Sequence, residues 1–128
     1  KTTFDVNSLG ALRVIQALMP NLKIGTQKTV VNMSSRMGSI ADNTGGAIGY
    51  RASKGALNNF NKSLSIEFSK QGFVFVVLHP GWVRTDMTSD RATYSTDESA
   101  EALFELITGL SQSDNGRFYD LHGESIAW

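Results

Sequence analysis

Hydrophobic residues recur along the chain in two kinds of pattern, one typical of helices and one typical of buried strands. Apolar residues fall at three- and four-residue spacing over residues 4–19, which predicts an amphipathic helix that ends at Pro20. The same spacing returns over residues 50–70, where Gly72 is placed to close a second helix in a left-handed conformation. One side of this second helix carries Ala52, Ala56, Leu57, Phe60, Leu64 and Phe68.

A third helix and three strands complete the predicted order. Ser95 and Glu98 have the spacing of a capping box, so a helix is expected from there to about Leu110. Short β-branched or apolar runs predict strands at residues 29–33, 73–78 and 116–121. Alternating helices and strands favour an α/β fold with a parallel sheet and right-handed crossovers.

Two polar clusters directly follow predicted strands. Ser34 and Ser35 come after the first strand, and His79, Pro80 and Gly81 come after the second. Ligands bind beyond the carboxyl ends of the strands in open α/β sheets, so both clusters are expected at one ligand-binding edge. The alternative is ordinary turn chemistry, since serine, proline and glycine are common in turns.

Composition narrows the classes of function. The 12 acidic and 12 basic residues balance, so neither nucleic acid nor an anionic membrane is indicated as a partner. The chain has no cysteine, which excludes disulfides and thiolate chemistry and suits a reducing compartment, and a cytoplasmic location is expected. His79 and His122 lack a nearby carboxylate cluster and are interpreted as structural, so no metal site is predicted.

Tyr50 and Lys54 form the sharpest candidate for chemistry. Their four-residue separation puts both side chains on one face of a helix. A lysine ammonium beside a phenol favours the phenolate form and brings a tyrosine toward the working range of an acid–base catalyst. By itself the pair is also common on solvated helix faces, and only its context separates the two interpretations.

The ordered set of motifs closely resembles the short-chain dehydrogenase/reductase family, and within it the C-factor and sniffer-type carbonyl reductases. The set comprises Asn7 in a helix, Ser-Ser-x-x-Gly after a strand, Tyr-x-x-x-Lys opening the next helix, and Pro-Gly-x-Val-x-Thr. The resemblance covers essentially the whole chain. It implies the carboxy-terminal half of a doubly wound, Rossmann-like domain over residues 1–128, without the amino-terminal nucleotide-binding half.

The resemblance also implies a catalytic tetrad for hydride transfer between NADP or NAD and a carbonyl or secondary alcohol, with NADP favoured. Tyr50 would act as the acid or base, and Lys54 would hold the nicotinamide ribose and promote ionisation of Tyr50. Ser35 would orient the carbonyl, with Ser34 less favoured because Gly38 fits the motif from Ser35. Asn7 would hold a relay water, or would simply be a polar residue on an exposed helical turn.

Further site residues follow from the same resemblance. Pro80, Gly81, Val83 and Thr85 match the segment that lies against the nicotinamide carboxamide in this family. The family's Gly-rich phosphate turn is absent from these 128 residues, so the isolated chain is expected to be an inactive fragment of an enzyme. Ser35 and Tyr50 stand fifteen residues apart, and a loop insertion at residues 42–46 is expected to absorb this spacing.

Partner expectations have two forms. The resemblance implies a small carbonyl substrate and a homo-oligomer built through the helices at 4–19 and 50–70, with Ala52, Ala56, Leu57 and Phe60 at the interface. The alternative function is a non-catalytic dimerisation or interaction module that uses the same helices. The retained Ser, Tyr and Lys argue against the alternative, because a scaffold needs none of them.

Overall fold

The centre of the fold is one strand that is buried at every residue but its last. The computed structural model describes residues 1–128. Three parallel strands form a sheet in the order β1 (Thr29–Met33), β2 (Val74–His79), β3 (Phe118–Asp120). Val74 is 6% exposed and the four residues after it are 0% exposed. The uninterrupted apolar sequence of β2 is therefore explained by burial on both faces.

Helices cover both faces of the sheet. Phe73 and Phe75 pack with Ile15 of helix α2 (Ala11–Ile24) and with Leu64 of helix α3 (Ile48–Glu67). On the opposite face the side chains of β2 contact helix α4 (Thr96–Thr108). This arrangement confirms the predicted α/β fold class, a Rossmann-like parallel sheet with crossover helices on either side.

The first helical run is longer and less regular than predicted. It begins as α1 (Thr2–Phe4), widens into a π-helical turn at Asp5–Gly10 and continues as α2 through Pro20 to Ile24. The prediction that Pro20 ends this helix is wrong. Pro20 and Gln16, whose carbonyl loses its intrahelical donor, are both exposed, so water can satisfy that carbonyl and the helix continues.

The other two helices lie near their predicted positions. Helix α3 begins two residues before Tyr50 and gives way to a 3-10 turn at Ser69–Gln71, so the predicted end at Lys70 is three residues late. Gly72 has φ 78°, and it closes the 3-10 turn in the left-handed conformation expected of it. The predicted capping box of α4 is present, with Ser95 and Glu98 bonded reciprocally.

The face that α3 buries is mostly polar, which the apolar stripe did not predict. The buried residues of this helix are Ser53, Leu57, Asn58, Asn61 and Ser65. Ala52, by contrast, is exposed. Leu57 is 3% exposed within the single chain, so the expectation that it lies at an interface between copies is wrong. Leu64 and Phe68 of the apolar stripe are half-buried and pack against the core cluster that contains Ile15.

Hydrogen bonds join α3 to the end of β1 along this polar face, which we call the polar seam (Asn32, Ser34, Asn58 and Asn61). Asn32 Nδ2 donates to Asn61 Oδ1 at 2.9 Å, and Ser34 Oγ donates to Asn58 Oδ1 at 2.7 Å. The Nδ2 atoms of Asn58 and Asn61 are buried without a partner in this structure. The seam fixes how far along β1 the helix sits, because the amide oxygens of Asn58 and Asn61 meet their donors in only one register.

β1 is an edge strand of the sheet, because it pairs only with β2. On the first helical run, Val6, Val14 and Leu18 are 66%, 58% and 49% exposed. Edge strands and exposed apolar side chains are both kinds of surface that can pair with further polypeptide. None of the helices is both long and apolar enough to cross a bilayer.

The polar seam makes a direct prediction about stability. Ser34→Ala removes the only donor to the buried Asn58 amide oxygen, so the free energy of unfolding should fall by about 1–3 kcal/mol. Ser34→Ala combined with Asn58→Leu should be more stable than Ser34→Ala alone, because the Asn58 amide that lost its donor is then no longer present. Urea unfolding of the full-length protein measures this, with the exposed Ser113→Ala as the matched control. If the loss of unfolding free energy in the double variant equals the sum of the losses in Ser34→Ala and Asn58→Leu, the two residues are not coupled and the prediction is wrong.

Candidate active site

A cavity of about 800 Å³ opens at the carboxyl ends of β1 and β2. Its lining brings together residues that are far apart in sequence. Among the predicted site residues it includes Ser35, Tyr50, Pro80, Gly81, Val83 and Thr85. Asn7 and Lys54 lie outside this lining. Asn7 bonds to Ser53, and Lys54 lies near the Tyr50 ring.

Ser35 is held at the cavity by its own turn. It is the N-cap of the 3-10 turn Arg36–Gly38, and its Oγ accepts a hydrogen bond from Met37 N at 3.1 Å. Because that bond uses a lone pair, the hydroxyl proton remains available for a carbonyl oxygen. Ser34 also borders the cavity, but its hydroxyl donates to the buried Asn58 amide.

Gly38 explains the Ser-x-x-Gly spacing. A Cβ at this position would lie 2.9 Å from both the Lys54 Cβ and the Asn58 Nδ2. Only glycine therefore lets the turn after β1 pack directly against α3. This contact brings the Ser35 turn alongside the first turns of α3.

Tyr50 and Lys54 project from the first two turns of α3, as their spacing predicted. Lys54 Nζ lies 6.0 Å from the centroid of the Tyr50 ring and donates to the Met33 carbonyl oxygen at 3.0 Å. Partial burial lowers the pKa of Lys54 below its usual value. The ammonium is thus fixed at the end of β1, within electrostatic reach of the Tyr50 ring.

Asn7 contacts the same helix through Ser53 and makes no hydrogen bond to Lys54. Asn7 Nδ2 donates to Ser53 Oγ at 3.1 Å, and Ser53 Oγ donates to the Tyr50 carbonyl at 2.8 Å. Ser8 Oγ donates to the Ser53 carbonyl at 2.7 Å. The π-helical turn that carries Asn7 and Ser8 is thereby bonded to the start of α3. Turns of this kind are often found at functional sites.

Ser53 is the site residue that the sequence analysis missed. It is fully buried and joins the Asn7 side chain to the backbone of Tyr50. The one feature of the sequence that could have indicated Ser53 is its position directly before Lys54. A serine on a helix surface has no distinctive pattern, however, and only the neighbouring helical run shows that it is buried.

The turn after β2 forms the opposite wall. Gly81 has φ 85°, and a Cβ there would lie 2.7 Å from the Tyr94 ring, so both conformation and packing require glycine. The Pro80 carbonyl accepts from Ser99 Oγ at 2.7 Å, which ties this turn to α4. Val83 pairs with Tyr94 in an isolated bridge, and the segment between them folds back as a closed loop.

The segment between Ser35 and Tyr50 contains the predicted loop. Gly45, Gly46 and Ala47 all have positive φ, at 84°, 69° and 43°. Ala47 is the N-cap residue of α3, and a left-handed alanine there stores backbone strain. Arg51 restrains this loop, because its Nε donates to the Gly45 and Gly46 carbonyls at 3.0 and 3.1 Å.

A charged cluster lies next to His79, at the carboxyl ends of the strands. Arg36 contacts Asp42 at 3.0 Å and Asp120 at 3.9 Å, and Asp120 pairs with His79 in the strand register. His79 borders the cavity, and its Nδ1 is buried without a partner in this structure. Burial and the nearby Arg36 lower the pKa of His79, while Asp120 opposes the shift. No group of three or more His, Cys, Asp or Glu side chains is arranged to hold a metal ion.

The family model for short chain dehydrogenase matches residues 1–95. C-signal from Myxococcus xanthus is 46% identical over 127 residues, which cover 98% of this chain and 76% of that protein. The 1-hydroxy-2-glutathionyl-2-methyl-3-butene dehydrogenase of Rhodococcus sp. (strain AD45) is 40% identical over 97% of this chain and 56% of its own length.

Solved structures agree with the family match. Carbonyl reductase Sniffer of D. melanogaster superposes with a TM-score of 0.92 at 36% identity, covering 98% of this chain and 55% of that one. An NADPH-bound carbonyl reductase from chicken fatty liver gives a TM-score of 0.88 at 34% identity, with the same coverage. The chain belongs to the short-chain dehydrogenase family, and it spans about half the length of these two solved relatives.

The lowered pKa of His79 predicts a pH-dependent stability. Between its folded pKa and the unfolded value of about 6.5, the unfolded chain binds more protons, so the free energy of unfolding should decrease as the pH falls through this range. His79→Gln should flatten that decrease, measured by urea unfolding of the full-length protein from neutral pH downward. His122→Gln, which removes an exposed histidine, is the matched control for the loss of an imidazole. Equal slopes in wild type and His79→Gln would contradict the prediction.

Proposed function

We propose that the full-length protein is an NADPH-dependent reductase of small carbonyl compounds. The observation that carries the proposal is the convergence of Ser35, Tyr50 and the Pro80–Thr85 segment on one cavity at the carboxyl edge of the sheet. Family membership supports it, as does the likeness to solved carbonyl reductases, one of them bound to NADPH. Residues 1–128 would form the carboxy-terminal catalytic part of a single Rossmann-like domain.

In this proposal the cofactor supplies the hydride, and the chain controls the carbonyl oxygen. The Ser35 hydroxyl donates a hydrogen bond to that oxygen and orients the carbonyl, since the lone pair facing Met37 N is already engaged. Tyr50 donates the proton that converts the developing alkoxide to an alcohol. Positioned donors of this kind stabilise charge that grows in the transition state.

Lys54 and Asn7 support Tyr50 from the side of the helix. The Lys54 ammonium, anchored by the Met33 carbonyl, would hold the ribose hydroxyls of the cofactor and stabilise negative charge that develops on the nearby phenol oxygen during proton transfer. Asn7 would fix the first turn of α3 through Ser53, in addition to any bound water. Pro80, Gly81, Val83 and Thr85 would face the nicotinamide carboxamide.

We also propose that the protein forms a homo-oligomer through its first helical run and α3. Val14 and Leu18 on the first run and Ile66 on α3 are exposed at 58%, 49% and 65%. Ala52 is exposed at the start of α3 and would contribute to such an interface, unlike the buried Leu57. This interface would accompany catalysis, because a scaffold alone would not require Ser35 and Tyr50 at one cavity.

Tyr50→Phe tests the proposed proton donor. The full-length protein should reduce aromatic aldehydes with NADPH, and the variant should lose about 10²–10⁴-fold in kcat, the usual contribution of a general acid. NADPH binding, followed by fluorescence titration, should change little. Tyr119→Phe makes the same chemical change outside the cavity, where the hydroxyl bonds Asp114, and should retain activity. Undiminished reduction by Tyr50→Phe would refute this role.

Lys54→Met tests the second member of the pair. Loss of the ammonium should raise the Kd for NADPH and also lower kcat, because one group serves both the ribose and Tyr50. Tyr50→Phe should affect kcat alone. A Lys54→Met protein with wild-type cofactor affinity would show that Lys54 does not touch the cofactor.

A further inference from the structure

Arg51 is a cation held in a fixed orientation at the cavity wall. Its Nε donates to the Gly45 and Gly46 carbonyls, and its Nη2 donates to Thr44 Oγ1 at 3.0 Å. These bonds occupy two of the three guanidinium nitrogens. Nη1 makes no hydrogen bond within the chain, and the guanidinium plane is set in advance by the loop it holds.

The charge of Arg51 is not balanced by an acidic side chain. None of the ion pairs in the structure includes Arg51. The charged residues that border the cavity are Arg36, Asp42 and Arg51. Asp42 is paired with Arg36, so the cavity carries one uncompensated positive charge, and it is on the residue that follows Tyr50.

Two other features of the cavity indicate the kind of ligand that would use this charge. The first turn of α3 holds no acidic residue, so the helix N-terminus adds to the positive potential around Arg51. The opposite wall includes Trp82 and Met87, which are 51% and 88% exposed. A ligand with an apolar body and one anionic end would match the two walls.

We propose that Arg51 selects carbonyl substrates that carry a carboxylate. The carboxylate would pair with the free Nη1 edge of Arg51 while the carbonyl oxygen meets Ser35 and Tyr50. Charge-assisted hydrogen bonds to a guanidinium are among the stronger polar interactions, and a guanidinium already fixed by its loop loses little freedom on binding. The inference rests on the proposed carbonyl reduction and adds the substrate class.

The test uses two aldehydes that differ by one charge. 4-Carboxybenzaldehyde and its methyl ester should be compared as substrates of the full-length protein, and the wild type should prefer the acid by about tenfold in kcat/KM. Arg51→Gln should abolish that preference, chiefly through the KM of the acid. Arg51→Lys keeps the charge and should keep part of the preference, and added salt should weaken it in the wild type.

A purely structural role for Arg51 predicts a different result. If Arg51 only restrains the loop at Gly45 and Gly46, Arg51→Gln should impair the acid and the ester equally, and their ratio would stay at the wild-type value. That outcome would overturn the proposal. Arg117→Gln removes an exposed arginine just before β3, at the opposite edge of the sheet, and serves as the matched control whose ratio should not move.

A binding measurement separates this inference from the proposed reaction. Calorimetric titration with 4-(hydroxymethyl)benzoate and its methyl ester, in the presence of NADP, needs no turnover. A carboxylate preference that disappears in Arg51→Gln supports the selectivity of Arg51 even if neither aldehyde is reduced, an outcome that would contradict only the reductase function. Equal binding and equal turnover of the acid and ester forms would contradict only the role of Arg51.

Discussion

The close approach of α3 to the end of β1 is the contact on which the site depends. Gly38 has no room for a Cβ against Lys54 and Asn58, and the polar seam pairs Asn32 and Ser34 with amides of the same helix. Buried amides are costly unless they are paired, so the seam admits one register of helix against strand. That register puts Ser35, at the strand end, across one cavity from Tyr50.

The buried strand β2 provides the rigid base for this contact. Its side chains alternate between the face covered by α2 and α3 and the face covered by α4, so neither face can shift without opening the core. The polypeptide leaves β2 at His79 and turns sharply at Gly81, which Tyr94 packs against. The second wall of the cavity is thus also positioned by packing, although it comes from a loop.

Two arginines lie at the cavity, and only one of them is paired with carboxylates. Arg36 forms ion pairs with Asp42 and Asp120 close to His79, whose pKa is lowered by burial and by Arg36. Arg51, by contrast, is held by backbone carbonyls. Carbonyl oxygens can hold a guanidinium in place but do not cancel its charge. The same loop contains the strained Ala47 and the carbonyls that fix Arg51 beside the proposed proton donor.

Local patterns could predict the type and order of the main helices and strands but could not predict which helix face would be buried. The β-branched and apolar runs gave the strands, and Ser95 with Glu98 gave the start of α4. For α3 the apolar stripe was a poor guide, because four of its five buried residues are polar. Two of them, Asn58 and Asn61, pair with residues at the end of a strand far away in sequence. Polar residues give no periodic hydrophobic signal, so their burial is visible only when the partner strand is in place.

The sequence by itself determined the order of elements, the family and the candidate residues, because these depend on short-range spacing and on ordered motifs. Tertiary structure alone decided that Asn7 acts on the helix through Ser53, that the first helix passes Pro20, and that Arg51 stands without an acidic partner. Each of these depends on groups distant along the chain or on exposure to water. Pairing, solvation and burial are properties of the assembled fold, and no local pattern of residues contains them.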